Sequence, residues 1–378
     1  MRNHQRHGRV HRDGHRRTFR LLVVASSIVL VAAGCGSDDD DTATTDAPVT
    51  TAASAVTAAP VDTEATVDTA APAETSASET AAPADTEPAA PPEKAEISLG
   101  LLPIADVAPV FIAIEQGFFA DEGLTVSTEF TQGGAATIPA LASGDLDIGF
   151  GAYPSFFNAV SQDLPLKIIS EANRPAPLFA GLYSMPDSGI ATVTDMTGKT
   201  IAVNTLNNVV QLAVQAQLVD AGMSLDDVTL VEIPFPDMVA TLERGDVDVI
   251  AVVEPFGTIA RTTLNATLVI DMFANRMEEF PVAGFFVTDS FLADKPNTVA
   301  GFVRAFDRAV EVANSDPDAV PTILPTYITT ATEESARALN YPLFVSGIDV
   351  AILQTVPDFM VEAGILTEPI DAGEYVAG

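Results

Sequence analysis

The sequence ALASGDLD at residues 140–147 recurs as TLERGDVD at residues 241–248. Each copy has the pattern of a helix end, a glycine that stops the helix, an Asp-x-Asp turn and an apolar strand, over residues 148–151 and 249–253. A proline, Pro154 or Pro255, follows each strand, and a new helix can begin there. The repeat therefore predicts two similar βα lobes with a cleft between them.

Strand-like and helical runs alternate along residues 95–378, which predicts an α/β fold with two lobes and mainly parallel sheets. The apolar run from Val282 to Thr288 follows the second copy, and we interpret it as a strand that returns the chain to the first lobe. Apolar residues at helical spacing predict a half-buried helix over residues 297–315. We expect the first lobe at residues 95–183, the second at 184–279 and the returning part of the first at 280–378.

The N-terminal segment has the pattern of a secretion signal. Basic residues from Arg2 to Arg20 precede thirteen mostly apolar residues, and Gly34 and Cys35 follow. The apolar run is shorter than the roughly 20 residues that a spanning helix needs. Cys35 is the one cysteine of the chain, and its context resembles a bacterial lipobox, with Ala32 where leucine is usual. We expect a signal peptide over residues 1–34 and lipidation at Cys35, with a free thiol as the alternative.

Residues 35–94 are rich in Asp, Glu, Thr, Ala and Pro and contain almost no large apolar side chain. Such a segment buries too little apolar surface to offset its loss of conformational entropy on ordering. We therefore expect an extended acidic tether that holds the folded lobes away from a membrane surface.

Charge and residue usage exclude several classes of protein. The formal net charge of −34 excludes nucleic acid binding, which depends on neutralising phosphates. All four histidines, at positions 4, 7, 11 and 15, lie in the expected signal peptide. After its removal, and with Cys35 acylated, the chain has no Ser-His or Cys-His nucleophile and no His or Cys zinc site. We therefore expect no catalytic residues, no metal and no cofactor.

In open α/β sheets, ligands bind beyond the carboxyl ends of the strands, where loops lead into helices. Free backbone N–H groups at such helix starts hold an anionic group without any lysine or arginine. The loops that follow the strands of both lobes therefore contain the candidate ligand-binding residues. They are Ile104, Ala105, Asp106, Gln132, Gly133, Gly134, Tyr153, Ser155, Arg174, Asn204, Thr205, Asn207, Phe235, Asp237, Glu254 and Phe256.

Several of these candidates have an alternative structural interpretation. Ser155, Thr205 and Asn207 have the composition of ordinary helix N-caps. Glu254 ends a strand, so it either accepts a hydrogen bond from a ligand amine or ring N–H, or interacts with the dipole of the helix that begins beside it. Aromatic side chains at 153, 235 and 256 either stack on a ligand or pack in the core.

Charged side chains near these loops have two different interpretations. Arg174, Arg261 and Arg276 are candidate cations for an anionic ligand. The repeated aspartates suggest a catalytic or metal cluster at first sight. They precede the strands, at the edge opposite the expected cleft, and we therefore assign them to turns. These aspartates are Asp145, Asp147, Asp246 and Asp248.

Five segments together resemble the solute-binding proteins of bacterial ABC importers, in the group that binds nitrate, sulfonates, taurine and thiamine pyrimidines. They are LPIADVAPVFIAIEQGFFADEGL (102–124), GGAATIPALASGDLDIGFG (133–151), MTGKTIAVNT (196–205), VEIPFPDMVATLERGDVDVIAVVEPF (231–256) and FPVAGFFVT (280–288). The resemblance implies a type II periplasmic binding protein fold with a hinge near Ser184 and Phe280. It also implies a monomer that closes on a small solute and then docks on an ABC permease with its cytoplasmic ATPase.

The resemblance leaves two other functions open. One is a lipoprotein that presents its ligand to a signalling receptor. The other is an enzyme, because the related pyrimidine synthases share the architecture, although they depend on histidine and cysteine chemistry. Sulfonate or nitrate is compatible with helix N-termini, whereas the acidic charge and the scarcity of arginine favour a zwitterionic, neutral or heteroaromatic solute.

Overall fold

The computed structural model describes residues 90–378, so the expected signal peptide, Cys35 and most of the expected tether lie outside the described residues. In the described part no helix combines the length and the apolar character that crossing a membrane requires. The strands are β1 (Glu96–Leu101), β2 (Thr125–Phe130), β3 (Ile148–Ala152), β4 (Leu166–Arg174), β5 (Ala180–Ser184), β6 (Thr200–Val203), β7 (Thr229–Glu232), β8 (Val249–Val253), β9 (Thr267–Asp271), β10 (Ala283–Thr288) and β11 (Leu343–Phe344).

Helices connect most of these strands and cover the sheets. They are α1 (Ala108–Glu115), α2 (Phe118–Asp121), α3 (Gly134–Ser143), α4 (Tyr153–Val160), α5 (Val209–Asp220), α6 (Phe235–Glu243), α7 (Phe256–Leu264), α8 (Asp289–Asp294), α9 (Pro296–Ser315), α10 (Ala319–Ile323), α11 (Glu333–Ala336), α12 (Val350–Leu353) and α13 (Thr355–Glu362).

The strands form two sheets with the same internal order. The first sheet is ordered β11-β4-β10-β3-β1-β2 and the second β7-β6-β8-β5-β9. In each sheet three strands pair in parallel, with β1 between β2 and β3 and β6 between β7 and β8. We call the first sheet with its helices the first lobe and the second sheet with its helices the second lobe. The expected two-lobed α/β fold is confirmed.

Each sheet is mixed because the strand next to its three parallel strands runs in the opposite direction. β10 pairs antiparallel with β3 and β4, and β5 pairs antiparallel with β8 and β9. The sheets are therefore less parallel than the sequence predicts. β10 follows the second lobe in the chain and returns to the first, as expected for the run from Val282 to Thr288. β5 precedes the rest of the second lobe.

The first crossing between the lobes occurs earlier than the sequence predicts. Residues 180–184 pair with β8, with Tyr183 opposite Ile250, so they belong to the second sheet. The expected boundary at residue 184 falls at the end of this strand. The chain instead passes between the lobes at residues 175–179, and it returns at residues 272–282. Alternating apolar residues identify β5 as a strand but do not specify the sheet that it joins.

Matching hydrogen bonds join the two copies of the repeat to their sheets. The Asp147 carboxylate accepts the Ser98 N–H at 2.8 Å, and the Asp248 carboxylate accepts the Thr200 N–H at 2.8 Å. In return, the Asp147 N–H donates to the Ser98 carbonyl, and the Asp248 N–H to that of Thr200. Both aspartates hold the amino end of a strand, as the turn interpretation expects.

The first lobe is closed by α9, which packs on α1 and α2. Phe302 and Phe306 of α9 lie on the expected apolar stripe and are fully buried, with their rings 5.1 and 4.8 Å from that of Phe285 in β10. On the outer face of the helix, Arg304 pairs with Glu122. The helical periodicity therefore predicted both faces of α9.

The last two residues of the expected tether contact the first lobe. The Glu93 carboxylate accepts the backbone N–H groups of Asn297 and Thr298 at 3.1 and 3.0 Å, at the start of α9. Lys94 Nζ donates to both carboxylate oxygens of Asp147 at 2.6 Å. The ordered lobe thus begins before the expected residue 95, because a capping carboxylate and an ion pair fix the approaching chain.

We expect Asp147→Ala to lower the free energy of unfolding by ~1–3 kcal/mol, since it leaves a buried strand N–H without its acceptor. Asp248→Ala should cost less, because the Asp248 side chain is 41% exposed and that of Asp147 only 9%. Urea denaturation measures both. Asp145→Ala is the control, because this exposed carboxylate accepts only from Ser143 Oγ, and its effect should stay within about 0.5 kcal/mol. An equal loss for Asp145→Ala and Asp147→Ala would contradict the role of the repeat.

Candidate ligand-binding site

A cavity of about 40 Å³ lies between the lobes, where the carboxyl ends of β1 and β3 face those of β6 and β8. We call it the cleft cavity. Its walls come from both lobes and are mostly apolar, with three polar side chains. The lining residues are Leu102, Ile104, Asp106, Gly133, Gly134, Phe150, Ala152, Asn204, Asn208, Val209, Val210, Phe235, Val253, Val282 and Ala283.

Asp106 is the one acidic residue that lines the cleft cavity. It lies in a single 3₁₀ turn between β1 and α1 and is 2% exposed. One carboxylate oxygen accepts the side-chain N–H of Asn173 at 2.6 Å, and the other oxygen has no partner. Burial raises the pKa of Asp106 to about 7, although the hydrogen bond from Asn173 acts in the opposite direction.

Asn204 faces Asp106 from the second lobe. It follows β6, is 4% exposed, and its side-chain N–H₂ contacts the Gln132 carbonyl of the first lobe at 3.5 Å. Its side-chain oxygen has no hydrogen-bond partner. Buried polar atoms are nearly always paired in folded proteins. An unpartnered acceptor from each lobe therefore marks a place that a hydrogen-bond donor would fill.

Two helices begin at the cleft cavity, α3 from the first lobe and α5 from the second. Gly133 and Gly134 form the start of α3, and Val209 and Val210 that of α5. The N–H groups of a first helical turn have no partner within the helix and carry a partial positive charge. The Val209 N–H already bonds to the Asn208 side chain, so the cavity offers the N–H groups at the start of α3 and the rest of the α5 start beside the acceptors of Asp106 and Asn204.

The start of α3 must be glycine for the lobes to approach so closely. Gly133 has φ +137°, and a Cβ there would lie 3.2 Å from Asn204 Nδ2. A Cβ on Gly134 would lie 2.5 Å from Ser155 Cβ. Both glycines thus allow the backbone of α3 to reach the cavity.

A second, larger cavity of about 580 Å³ lies next to the first, between α6 and α7 of the second lobe and residues 327–339. We call it the outer cavity. The Phe235 ring lines the cleft cavity and the Phe256 ring the outer one, and the two rings stack at 6.2 Å. Tyr327 lines the outer cavity and donates its hydroxyl to the Ile104 carbonyl. The stacked pair therefore separates the two cavities.

Six of the predicted residues line the cleft cavity, and Phe256 lines the outer one. The six are Ile104, Asp106, Gly133, Gly134, Asn204 and Phe235. Two more lie in contacts between the lobes: the Ala105 N–H donates to the Glu254 carbonyl at 3.1 Å, and the Gln132 carbonyl contacts Asn204. The six lining residues, together with Ala105 and Gln132, are the eight predicted residues that the structure brings together at the cleft.

Five other predicted residues lie outside the cleft cavity. Ser155 and Asn207 line a separate groove beside α3, and the Thr205 hydroxyl accepts from Asn208 in the network at the start of α5. Asp237 is exposed on the first turn of α6. Tyr153 is fully buried in the first lobe, with its ring 6.0 Å from that of Phe286. The packing alternative describes Tyr153, but the capping alternative is wrong for Ser155, Thr205 and Asn207, because the N-caps of α4 and α5 are Ala152 and Asn208.

Glu254 does not face the cleft cavity. Its carboxylate is 1% exposed, accepts the N–H and the hydroxyl of Thr258 at 3.0 and 2.8 Å, and pairs with Arg261 at 3.2 Å. Burial raises its pKa, while the hydrogen bonds from Thr258 act against this rise. These bonds to Thr258 fit the helix-start alternative for Glu254, and its contact with a ligand stays a prediction.

The three candidate arginines are also held by carboxylates. Arg174 makes two hydrogen bonds to Glu171, at 2.7 and 2.8 Å, and Arg261 contacts Glu254. Arg276 pairs with Asp220 and Glu362. No lysine or arginine of the described residues lines the cleft cavity. The positive groups that remain there are the partial charges of the two helix starts.

The sequence analysis missed two polar residues of the site, Asn173 and Asn208. Each lies one position from a predicted residue, Arg174 or Asn207. Successive side chains of a strand point to opposite faces, so the side chain of Asn173 contacts Asp106 while that of Arg174 does not. Asn208 caps α5, and its side-chain oxygen accepts the Val209 N–H. The apolar run that begins at Val209 was the available signal for this cap.

Comparison with known proteins places the chain among binding proteins and one named enzyme. A sequence model described as NMT1/THI5 like matches residues 104–320. The riboflavin-binding protein RibY of Chloroflexus aurantiacus is 27% identical over 249 residues, which cover 64% of this chain and 68% of that protein. The 4-amino-5-hydroxymethyl-2-methylpyrimidine phosphate synthase of Aspergillus parasiticus is 26% identical over 225 residues, covering 56% and 64%.

A solved structure confirms the fold. The alkanesulfonate-binding protein SsuA from Xanthomonas axonopodis pv. citri, bound to MOPS, superposes with a TM-score of 0.66 at 15% identity. The match covers 75% of this chain and 99% of that one. At this identity the likeness is one of fold alone, and the fold is that of periplasmic binding proteins, as the sequence predicted.

We expect Asp106→Asn to stabilise the ligand-free protein at pH 8 by ~1–4 kcal/mol, because it removes a buried charge whose pKa is raised to about 7. The folded state keeps its proton up to about pH 7 and the unfolded state only up to about pH 4. Wild-type stability therefore falls relative to the variant across this window and stays level above it. Urea denaturation at pH 4 to 8 measures the difference.

The control for this experiment is Asp187→Asn, which changes an exposed carboxylate that does not line the cleft cavity. Its stability should differ from that of the wild type by less than about 0.5 kcal/mol at every pH. If Asp106→Asn behaved in the same way, the Asp106 carboxylate would not be held in a low-dielectric site.

Proposed function

The chain belongs to the NMT1/THI5-like family, and from this premise we propose that it is the extracytoplasmic solute-binding component of an ABC importer. The solute binds between the walls of the cleft cavity, which at about 40 Å³ has room for only a few water molecules, so the lobes must separate to admit it. It is then passed to a permease that works with a cytoplasmic ATPase. The named properties of the riboflavin-binding and alkanesulfonate-binding relatives support a small organic solute.

One observation carries this proposal: each lobe presents a buried polar atom without a partner to the same small cavity. These atoms belong to Asp106 and Asn204. Leaving such an atom unsatisfied costs ~1–3 kcal/mol. A solute that bonds to both removes this cost only when the lobes are closed. Binding therefore favours the closed state, which is the state that a permease would recognise.

Two crossings would act as the hinge, at residues 175–179 and 272–282. Opening requires the Ala105 to Glu254 backbone hydrogen bond and the contact between Asn204 and Gln132 to break. Both are single contacts between loops, whereas each sheet is held by many hydrogen bonds. The lobes are therefore expected to move as rigid bodies.

Binding is favoured over catalysis by the chemistry of the lining residues. Beyond residue 35 the sequence contains no histidine and no cysteine, and the polar side chains of the cleft cavity are Asp106, Asn204 and Asn208. They supply hydrogen bonds and one carboxylate but no activated nucleophile. The synthase relative makes enzymatic activity the alternative, and turnover of a bound pyrimidine by purified protein would establish it.

We also propose that the protein is a lipoprotein, anchored through Cys35 to the outer face of the cell membrane, and that it acts as a monomer. Replacement of Cys35 by serine should move the protein from the membrane fraction to the soluble fraction, because the acyl chains are lost. Phase partition in detergent and labelling with a radioactive fatty acid measure this. Thr42→Ala is the control, and equal labelling of both variants would contradict the anchor.

We expect Asn204→Ala to weaken binding of the solute about threefold to tenfold, the effect of losing one hydrogen bond. Isothermal titration calorimetry with the purified protein measures this, after a thermal-shift screen of flavins, pyrimidines, sulfonates and nitrate has identified a binder. Asn158→Ala is the control, because Asn158 lines the separate groove beside α3. Unchanged affinity for Asn204→Ala with a confirmed binder would reject the cleft cavity as the site.

A signalling role is the remaining alternative to import. Uptake of the labelled solute by cells, compared with cells that lack this protein, separates the two. Loss of uptake supports import, and unchanged uptake with a lost transcriptional response to the solute supports sensing.

A further inference from the structure

The cleft cavity is built to receive hydrogen-bond donors at one wall. Asp106 and Asn204 each present an acceptor oxygen without a partner, and both residues are at least 96% buried. The hydroxyl of Tyr327 approaches this region but donates to the Ile104 carbonyl, so it does not satisfy Asp106. The side-chain N–H of Asn173 satisfies one oxygen of the carboxylate only.

Within residues 90–378, no lysine or arginine lines the cleft cavity beside the Asp106 carboxylate. The predicted cations Arg174 and Arg261 each bond to a carboxylate of their own, Glu171 or Glu254. An anionic group in the cavity would therefore lie beside a buried carboxylate with only the two helix starts to stabilise it. Like charges in a low-dielectric site repel strongly, and burying a second charge without a counterion adds a desolvation cost.

A nitrogen that carries hydrogen fits both walls of the cavity. Its N–H bonds satisfy the acceptors of Asp106 and Asn204, and a neighbouring carbonyl or ring nitrogen accepts the N–H groups at the starts of α3 and α5. Amines, amidines, amides and the imide or amino edges of nitrogen heterocycles have this combination. Nitrate and simple alkanesulfonates have acceptors only.

Resting on the proposed solute-binding function, we propose that Asp106 is the specificity-determining residue of the site. It selects neutral or cationic solutes that present an N–H donor beside an acceptor, and it rejects oxyanions without a donor. The preference arises from the ionised form of a buried carboxylate, which the ligand-free protein holds above about pH 7 because burial raises its pKa to that value, so at pH 8 a solute without an N–H group leaves an uncompensated charge in the closed cleft.

Matched probes test this proposal in the wild-type protein. Donor probes are riboflavin, whose ring has an imide N–H, and 4-amino-5-hydroxymethyl-2-methylpyrimidine. Riboflavin methylated at the imide nitrogen and the pyrimidine with a dimethylated amino group are the same molecules without the donor. Sodium nitrate and sodium ethanesulfonate are the oxyanion probes. Thermal shift and titration calorimetry at pH 8 give the affinities.

We expect at least one donor probe to bind about tenfold or more tightly than its methylated partner, and neither oxyanion to bind. Asp106→Asn should remove most of this preference by lowering the affinity for the donor probe, because the neutral amide is a weaker acceptor than the carboxylate. Asp187→Asn should bind as the wild type does. Because Asp106→Asn is expected to be the more stable protein, loss of binding cannot be ascribed to unfolding.

The results that overturn the proposal differ from those that overturn the function. Binding of nitrate or ethanesulfonate by the wild type would disprove the selection by Asp106 and leave solute binding intact. Equal affinity for a donor probe and its methylated partner would do the same. If the folded wild-type protein bound none of the six probes, the proposed function and the role of Asp106 would both fail.

Discussion

The structure depends on one constraint: the sheet of each lobe includes the strand that directly follows a crossing of the chain between the lobes. β10 comes after the second lobe yet lies antiparallel in the first sheet, and β5 comes directly after the first lobe yet lies antiparallel in the second. The second lobe is the continuous segment 180–271, inserted between the two parts of the first lobe, so two crossings of the chain tie the lobes together. Because both sheets share this arrangement of strands, the carboxyl ends of β1 and β3 meet those of β6 and β8 across one narrow space.

The meeting of these strand ends explains why an acidic residue lies in the interior, although its burial costs free energy. Asp106 lies in the turn after β1, where the closed lobes remove it from water, and burial raises its pKa to about 7. The remainder of the first lobe, with α9 packed against β10 through Phe302 and Phe306, is a conventional apolar core that can offset such a local cost. In the role that we propose for Asp106, its burial lowers the stability of the closed protein while its carboxylate selects the solute.

The sequence predicted the architecture well because the repeat has two independent signals, the glycine stop and the Asp-x-Asp turn. Both aspartates do hold strand ends, at Ser98 and Thr200. The strand-end rule also named Asp106 and Asn204, which line the cleft cavity, and their contact with a ligand stays a prediction. It failed where the orientation of a side chain decides the outcome: Arg174 was expected instead of Asn173, and Asn207 instead of Asn208. It could not show that Glu254 is used by Thr258, because that pairing depends on the three-dimensional path of α7. Nor could it assign β5 to a sheet, since strand pairing is not local.

The contacts of Glu93 and Lys94 determine which part of the molecule bears mechanical load from the N-terminal side. Glu93 bonds to the start of α9 and Lys94 to Asp147, and both partners belong to the first lobe. They lie by the amino ends of β1 and β3, at the rim of the sheet farthest from the opening. Tension along the preceding chain is thus borne by the first lobe, so the lobe motion that we propose would leave the second lobe free of that load.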